Sequence, residues 1–168
     1  MTEISNEQVS RYDRQIRLWG FDGQQRMLKS KILVIGVNPL TMEMSKNLVL
    51  GGIGQLSIMD DGIVNSSDTH NLYILGEEHV GEKKSKCIVS ELKGFNPTVN
   101  IISVPQESEY TAQFFSDYDL VVASNSGMSE QVKINNVCRE ANIKFISANI
   151  FGLYGYIFCD LLDHDYKV

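Results

Sequence analysis

The residues with the clearest capacity for chemistry lie where an apolar run meets a glycine. Lys31-Ile32-Leu33-Val34-Ile35 runs into Gly36, a helical stretch follows over 41–50, and a second apolar run over 56–59 ends at Asp60. Strand, glycine, helix and a carboxylate closing the next strand is the layout of a unit that binds a dinucleotide or ATP. In such a unit the helix N-terminus receives the phosphates and the carboxylate receives the ribose hydroxyls. Asp60 lies 24 residues after Gly36, close to the ribose-binding spacing. The loop itself departs from the pattern. The positions of G-x-G-x-x-G read Gly36-Val37-Asn38-Pro39-Leu40-Thr41. The second glycine, which lets the backbone approach a pyrophosphate, is Asn38; the third, which lets helix and strand pack closely, is Thr41. Pro39 removes a backbone N–H that would hold a phosphate. The residues therefore point to a Rossmann-like fold that has lost its ligand.

The elements around this loop alternate. After the runs at 31–35 and 56–59, a breaker-free helical stretch over 84–93 is closed by Asn96-Pro97. A strand over 99–104, a strand over 120–123, a helix over 130–141, a strand over 145–147 and a final run over 156–159 continue the order. Strands alternating with helices predict an α/β fold with a mostly parallel sheet flanked by helices. Near-continuous apolar runs predict strands buried on both faces. An N-terminal helical extension over 1–30 precedes this core, which fills 31–168, the whole forming a single domain. Ser5 and Gln8 make a capping box, flanked by Ile4 and Val9 as a hydrophobic staple. Val9, Tyr12, Ile16 and Trp19 form an apolar stripe on a helix expected to stop at Gly20, with Arg14 on its opposite side.

Composition narrows the functional classes. Of 168 residues, 43% are hydrophobic and 21% charged, the make-up of one ordinary globular domain. Fifteen Lys and Arg against 21 Asp and Glu give a net charge of −6, which argues against nucleic acid as a partner. No apolar run approaches the roughly 18 residues of a membrane span, so no membrane partner is expected. The acidic, polar first ten residues resemble neither a secretory nor a transit signal. Cys87, Cys138 and Cys159 fit core thiols in a reducing compartment, so a nuclear or cytoplasmic location is expected. His70, His79 and His164 share no metal-ligand spacing, and no metal site is expected.

Three segments carry a family resemblance. Arg11-Tyr12-Asp13-Arg14-Gln15-Ile16-Arg17-Leu18-Trp19-Gly20, Lys46-Asn47-Leu48-Val49-Leu50-Gly51-Gly52-Ile53-Gly54 and Phe151-Gly152-Leu153-Tyr154-Gly155-Tyr156 resemble the enzymes that activate ubiquitin-like modifiers. The decapeptide at 11–20 is the most specific of the three, and the likeness spans 5–165. Within the family it is to the smaller, non-cysteine subunits of the SUMO-activating branch. The resemblance implies two ThiF/MoeB-like adenylation folds paired pseudo-symmetrically, one binding ATP and Mg²⁺ and the other decayed. It implies that Asp60 matches the ribose-binding aspartate and Lys84 a lysine of the nucleotide site. Asp68 and Asn71 stand where an asparagine and a phosphate-binding arginine belong, and Ser126 where a metal-binding aspartate belongs. Gly36, Asp60 and Lys84 are then relics, with structural salt bridges the alternative for Asp60 and Lys84, and this chain by itself is expected to bind no cofactor and to be no enzyme.

The same resemblance gives Arg14 a role. It implies that the arginine of the N-terminal helix crosses the interface to ATP held by the larger, cysteine-bearing catalytic subunit. There a guanidinium would stabilise charge developing on the leaving pyrophosphate while the modifier's C-terminus is adenylated. Arg17 is the lesser candidate for this role, and Arg11 is expected at the surface. SUMO itself would be an indirect partner. The family's small subunits are longer, so the chain is expected to be an N-terminal fragment whose last strand leaves an open edge. Two other readings stay open: a self-sufficient homodimeric MoeB/ThiF-like enzyme using Asp60 and Lys84, and a nicotinamide-dependent oxidoreductase.

Overall fold

The structure is a computed structural model that describes residues 4–107, 109–124 and 126–165. Its elements are α1 (Asn6–Arg11), α2 (Asp13–Lys29), β1 (Lys31–Ile35), α3 (Pro39–Gly51), β2 (Gln55–Met59), α4 (Ser66–Asn71), α5 (Lys84–Lys93), β3 (Asn100–Val104), α6 (Ala112–Phe115), β4 (Leu120–Ala123), α7 (Met128–Glu140), β5 (Lys144–Phe151) and β6 (Tyr154–Asp160). A short 3-10 turn covers Glu77–His79. The strands form one sheet in the order β3-β2-β1-β4-β5-β6. The first five are parallel, and β6 runs antiparallel against β5. Strand order reverses between β1 and β4, the switch point where open α/β sheets place their ligands. Ile35 is level with Met59 on one side and Ala123 on the other, so the three strands end flush. Gly36, Asp60 and Ser124 consequently emerge side by side.

The strand period of two sends alternate residues into two cores. Ile32 and Val34 of β1 join Met42 and Val49 of α3 and Ile88 and Leu92 of α5 on one face. Leu33 and Ile35 join Phe115, Ile134 and Cys138 under α6 and α7 on the other. This is why β1 and β4 read as near-continuous apolar runs, and β2 as one interrupted only by the buried Ser57. The expectation of burial on both faces fails for β6, which is exposed from Tyr154 to Cys159. The β5–β6 hairpin projects past α7, and its turn residue Leu153 is 100% exposed. Cys159 is therefore not a core thiol, whereas Cys87 and Cys138 are buried. Among the described residues no helix is long and apolar enough to cross a membrane.

The N-terminal extension is helical and breaks at Gly20 as expected, but it also breaks at Tyr12 and resumes after Gly20. Its capping box forms as expected, with the Gln8 amide donating to Ser5 Oγ at 3.2 Å and the Ser5 amide donating to Gln8 Oε1 at 3.0 Å. The helical path then breaks twice. Tyr12 leaves helical geometry at φ −103°, ψ 17°, and Gly20 at φ 77°, ψ 171°, after which the helix resumes to Lys29. Trp19 is 40% exposed, so the stripe is anchored chiefly by Tyr12, which is 2% exposed.

Candidate functional site

The loop after β1 is closed on itself. Asn38 caps α3: its Oδ1 accepts from the Thr41 amide at 3.0 Å, while the Asn38 amide donates to Thr41 Oγ1 at 3.0 Å. The Thr41 hydroxyl also donates to the carbonyl of Gly36 at 2.9 Å. Substituting Asn and Thr for the two glycines thus converts a phosphate cradle into a side-chain cap, and Pro39 at the first helical position has no N–H to offer. Gly36 keeps a glycine-only backbone, with φ +87°.

Asp60 is equally occupied. Its Oδ2 accepts from the Val37 amide at 2.7 Å and its Oδ1 from the Gly62 amide at 2.8 Å, so it staples the end of β2 to the loop after β1. Lys84 lies beside it: a Cβ at Gly62 would sit 2.8 Å from Asp60 Oδ1 and 3.7 Å from Lys84 Nζ. The lysine does not pair with Asp60. Its Nζ donates to Asp68 Oδ1 at 3.0 Å, with both side chains 15% exposed. Asp68 Oδ2 in turn accepts from the Asn65 amide at 2.9 Å, closing the capping box of α4. Asp60 and Lys84 therefore each carry a structural bond. Removing the cation alone strands a largely buried carboxylate. Lys84→Met is expected to cost about 2–3 kcal/mol in urea denaturation, below the fully buried case because the pair keeps some solvent contact. Adding Asp68→Asn should recover part of that loss.

On the far side of the switch point, a crevice of about 550 Å³ lies between Asn38, Ser126, Gly127, Asn149, Phe151 and Tyr156. A hydrogen-bonded relay of neutral groups crosses it. Asn38 Nδ2 donates to Ser124 Oγ at 2.7 Å, and Ser124 Oγ donates to Asn149 Oδ1 at 3.0 Å. Asn149 Nδ2 donates to Tyr156 Oη at 3.2 Å, Tyr156 Oη donates to Gln131 Oε1 at 2.8 Å, and Gln131 Nε2 donates to the Ser126 carbonyl at 2.6 Å. Ser126 Oγ is buried and lacks a hydrogen-bond partner among the described residues. The crevice lining includes no carboxylate and no cation. A hard cation wants carboxylate oxygens, and a triphosphate wants free N–H donors and positive charge. The residues present fit neither ATP nor Mg²⁺. No group of three His, Cys, Asp or Glu suited to a metal occurs among the described residues.

The two resembling segments in the first third of the chain meet in space. Tyr12 Oη accepts from Asn96 Nδ2 at 2.8 Å, and Asn96 Nδ2 also donates to the Val49 carbonyl at 2.8 Å. Gln24, fully buried, donates to the Gly51 carbonyl at 3.1 Å and accepts from Trp19 Nε1 at 3.1 Å. Gly52 sits at φ +80°, and a Cβ there would lie 2.4 Å from Cζ of the Tyr12 ring. The glycines over 51–54 are thus the seat of the N-terminal helices. The sequence marks these glycines only by their resemblance and Asn96 only as a helix end, and it gives no sign of Gln24, whose only signal is polarity inside otherwise apolar surroundings.

On this seated helix Arg14 is exposed and makes no hydrogen bond or ion pair among the described residues. Arg17 is held by Asp13 at 3.0 Å, and Arg11 lies 3.9 Å from Glu7. Arg14 is not part of the crevice lining. The buried thiols are poor nucleophiles: burial raises Cys87, and burial with the nearby Asp160 charge pushes Cys138 up to about 12.

The sequence profile of the ThiF family matches residues 12–162. The chain is 36% identical over 166 residues to DNA damage tolerance protein rad31 of Schizosaccharomyces pombe, covering 98% of this chain and 54% of that protein. It is 38% identical over 156 residues to SUMO-activating enzyme subunit 1 of Dictyostelium discoideum, covering 92% of this chain and 47% of the relative. The Xenopus tropicalis protein of the same name is 31% identical over 164 residues, with 97% and 47% covered. The chain thus spans about half the length of the curated relatives it matches. A crystal structure of selenomethionine PaaA superposes with a TM-score of 0.76 at 19% identity, covering 88% of this chain and 49% of that one, and shares the fold. With a profile match over most of its length and the β1–loop–α3 unit and switch-point order of the fold, the chain belongs to the ThiF family.

Proposed function

We propose that this chain acts in SUMO activation as the non-catalytic adenylation-type half of a two-subunit enzyme. In this reading it pairs with a larger, cysteine-bearing subunit that holds ATP, Mg²⁺ and the modifier's C-terminus, and it works in the nucleus or cytoplasm. The observation that carries the reading is a contrast within the chain. The crevice at its own switch point is spanned by the neutral, mutually bonded side chains of Asn38, Ser124 and Asn149. Meanwhile Arg14 is exposed and without a partner among the described residues, on a helix seated by Tyr12, Gln24 and Asn96. The likeness to SUMO-activating enzyme subunit 1 supports the modifier class. The exposed apolar residues Phe151, Leu153, Tyr154 and Ile157 are the kind of surface that a larger assembly covers.

The self-sufficient MoeB/ThiF-like reading needs Asp60 and Lys84 free for a nucleotide, and both are bonded within the chain. Calorimetric titration of the chain with ATP and Mg²⁺ separates the two. No saturable heat is expected; a clear one-site isotherm would overturn the proposal.

A further inference from the structure

The sheet end opposite the crevice carries a second concavity. Chain leaving α2 and chains entering β1, β4 and β5 meet there, and Arg26, Lys29 and Lys144 line a groove of about 490 Å³ together with Gly23, Ser30 and Asp119. None of the three cations forms an ion pair or hydrogen bond among the described residues. The single carboxylate of the lining is engaged with β1, its Oδ2 accepting from the Lys31 amide at 2.7 Å. Part of this charge has a local cause. Arg26 and Lys29 fall in the last turn of α2, where the exposed carbonyls of a helix end favour cations. That cause does not extend to Lys144, which arrives from a distant part of the chain at the start of β5. A protein of net charge −6 has gathered three cations against one carboxylate in one groove, a local excess of positive charge.

We propose that this groove docks an acidic peptide segment of a partner protein, with Asp or Glu carboxylates pairing to Arg26, Lys29 and Lys144. The inference does not rest on the proposed function. Charge complementarity selects the occupant: guanidinium and ammonium groups bind carboxylates, and the arginine fork can hold one in two-point fashion. The surrounding net negative charge selects a short segment. Beyond a screening length of about 8–10 Å the favourable field is local, so a long polyphosphate strand would meet repulsion outside the groove.

The test is fluorescence anisotropy of the full chain with a fluorescein-labelled Glu/Ser peptide, with the Gln/Ser analogue as control. Saturable binding of the Glu/Ser peptide alone is expected, weakening about tenfold between about 50 and about 200 mM salt. Combining Arg26→Ala, Lys29→Ala and Lys144→Ala should weaken it about tenfold, the sum of three exposed pairs. Combining Lys83→Ala, Lys86→Ala and Lys93→Ala, the same charge change elsewhere, should leave it unchanged. In the unaltered chain, amide resonances of Gly23, Ser30 and Lys144 should shift on adding the peptide, a readout that does not depend on any variant folding. The proposal is overturned if those resonances stay fixed, if both triple variants weaken binding equally, or if a thymidine oligonucleotide of equal charge binds more tightly.

Discussion

Arg14→Ala is expected to slow adenylate formation by the proposed two-subunit enzyme about a hundredfold or more, the scale for removing a cationic or hydrogen-bonding group from a developing anion. The measurement is ATP–pyrophosphate exchange in the presence of the modifier. Assembly is checked separately by size-exclusion chromatography and should be unchanged, because Arg14 makes no hydrogen bond or ion pair among the described residues and its helix is seated by Tyr12, Gln24 and Asn96. Arg14→Lys should restore little, since an ammonium is a point charge and lacks the planar fork that spans two phosphate oxygens. Arg17→Ala is the internal comparison. Arg17 is already held by Asp13 at 3.0 Å, so its loss should alter exchange by no more than about threefold. Equal losses for the two arginines would point to general electrostatics, and no loss for Arg14 would remove its proposed role.

The contrast between those arginines shows how far the sequence carries. Helical spacing placed Arg14 opposite the stripe of Val9, Tyr12, Ile16 and Trp19, and the structure leaves it exposed. Spacing cannot say which of two arginines has a counter-ion, although Asp13 four residues before Arg17 was open to reading as a helix pair. The strands of the central sheet were legible because burial on both faces demands near-continuous apolar runs. For the same reason β6 was legible as a strand but not as an exposed one: Tyr156-Ile157-Phe158-Cys159 is apolar, yet it lies on a projecting hairpin, and what an apolar residue packs against is not written in its own neighbourhood. The break at Gly20 was legible from the glycine, but the one at Tyr12 was hidden because a kink changes a few dihedrals and leaves the apolar spacing nearly intact.

The nucleotide loop divides in the same way. Loss of two glycines and the gain of Pro39 were visible as chemistry that no longer suits a phosphate. What took the cradle's place depends on contacts between distant segments. Asn38 reaches Ser124 across 86 positions of sequence, Asp60 reaches back to the Val37 amide, and Lys84 pairs with Asp68 of α4. None of these follows from local pattern, because the first two require the flush register of β1, β2 and β4 and the third joins side chains of two helices 16 residues apart. The resemblance over 46–54 had a physical cause that was equally non-local: those glycines make room for Tyr12 and the helix behind it.

That seat yields the second large effect. Tyr12→Ala should destabilise the fold by about 3–5 kcal/mol, the cost of emptying a fully buried aromatic site. At this chain length each 1 kcal/mol lowers Tm by about 2–4 °C, so a fall of about 10 °C is expected in thermal melts. Tyr12→Phe keeps the ring and removes only the hydroxyl, and Asn96 Nδ2 retains the Val49 carbonyl at 2.8 Å; about 1 kcal/mol is expected. Gly52→Ala probes the same contact from the other side. It costs backbone strain at φ +80° and, in addition, a clash with the tyrosine ring. In the Tyr12→Ala background only the backbone cost should remain, so the two substitutions together should destabilise less than their sum. Simple additivity would mean that Gly52 serves the helix end alone. Sub-additivity would establish that ring and glycine form one joint, and the Arg14 helix would then depend on it. Tyr12→Ala should in that case depress pyrophosphate exchange even below its melting temperature, whereas Tyr12→Phe should leave exchange near the parent value.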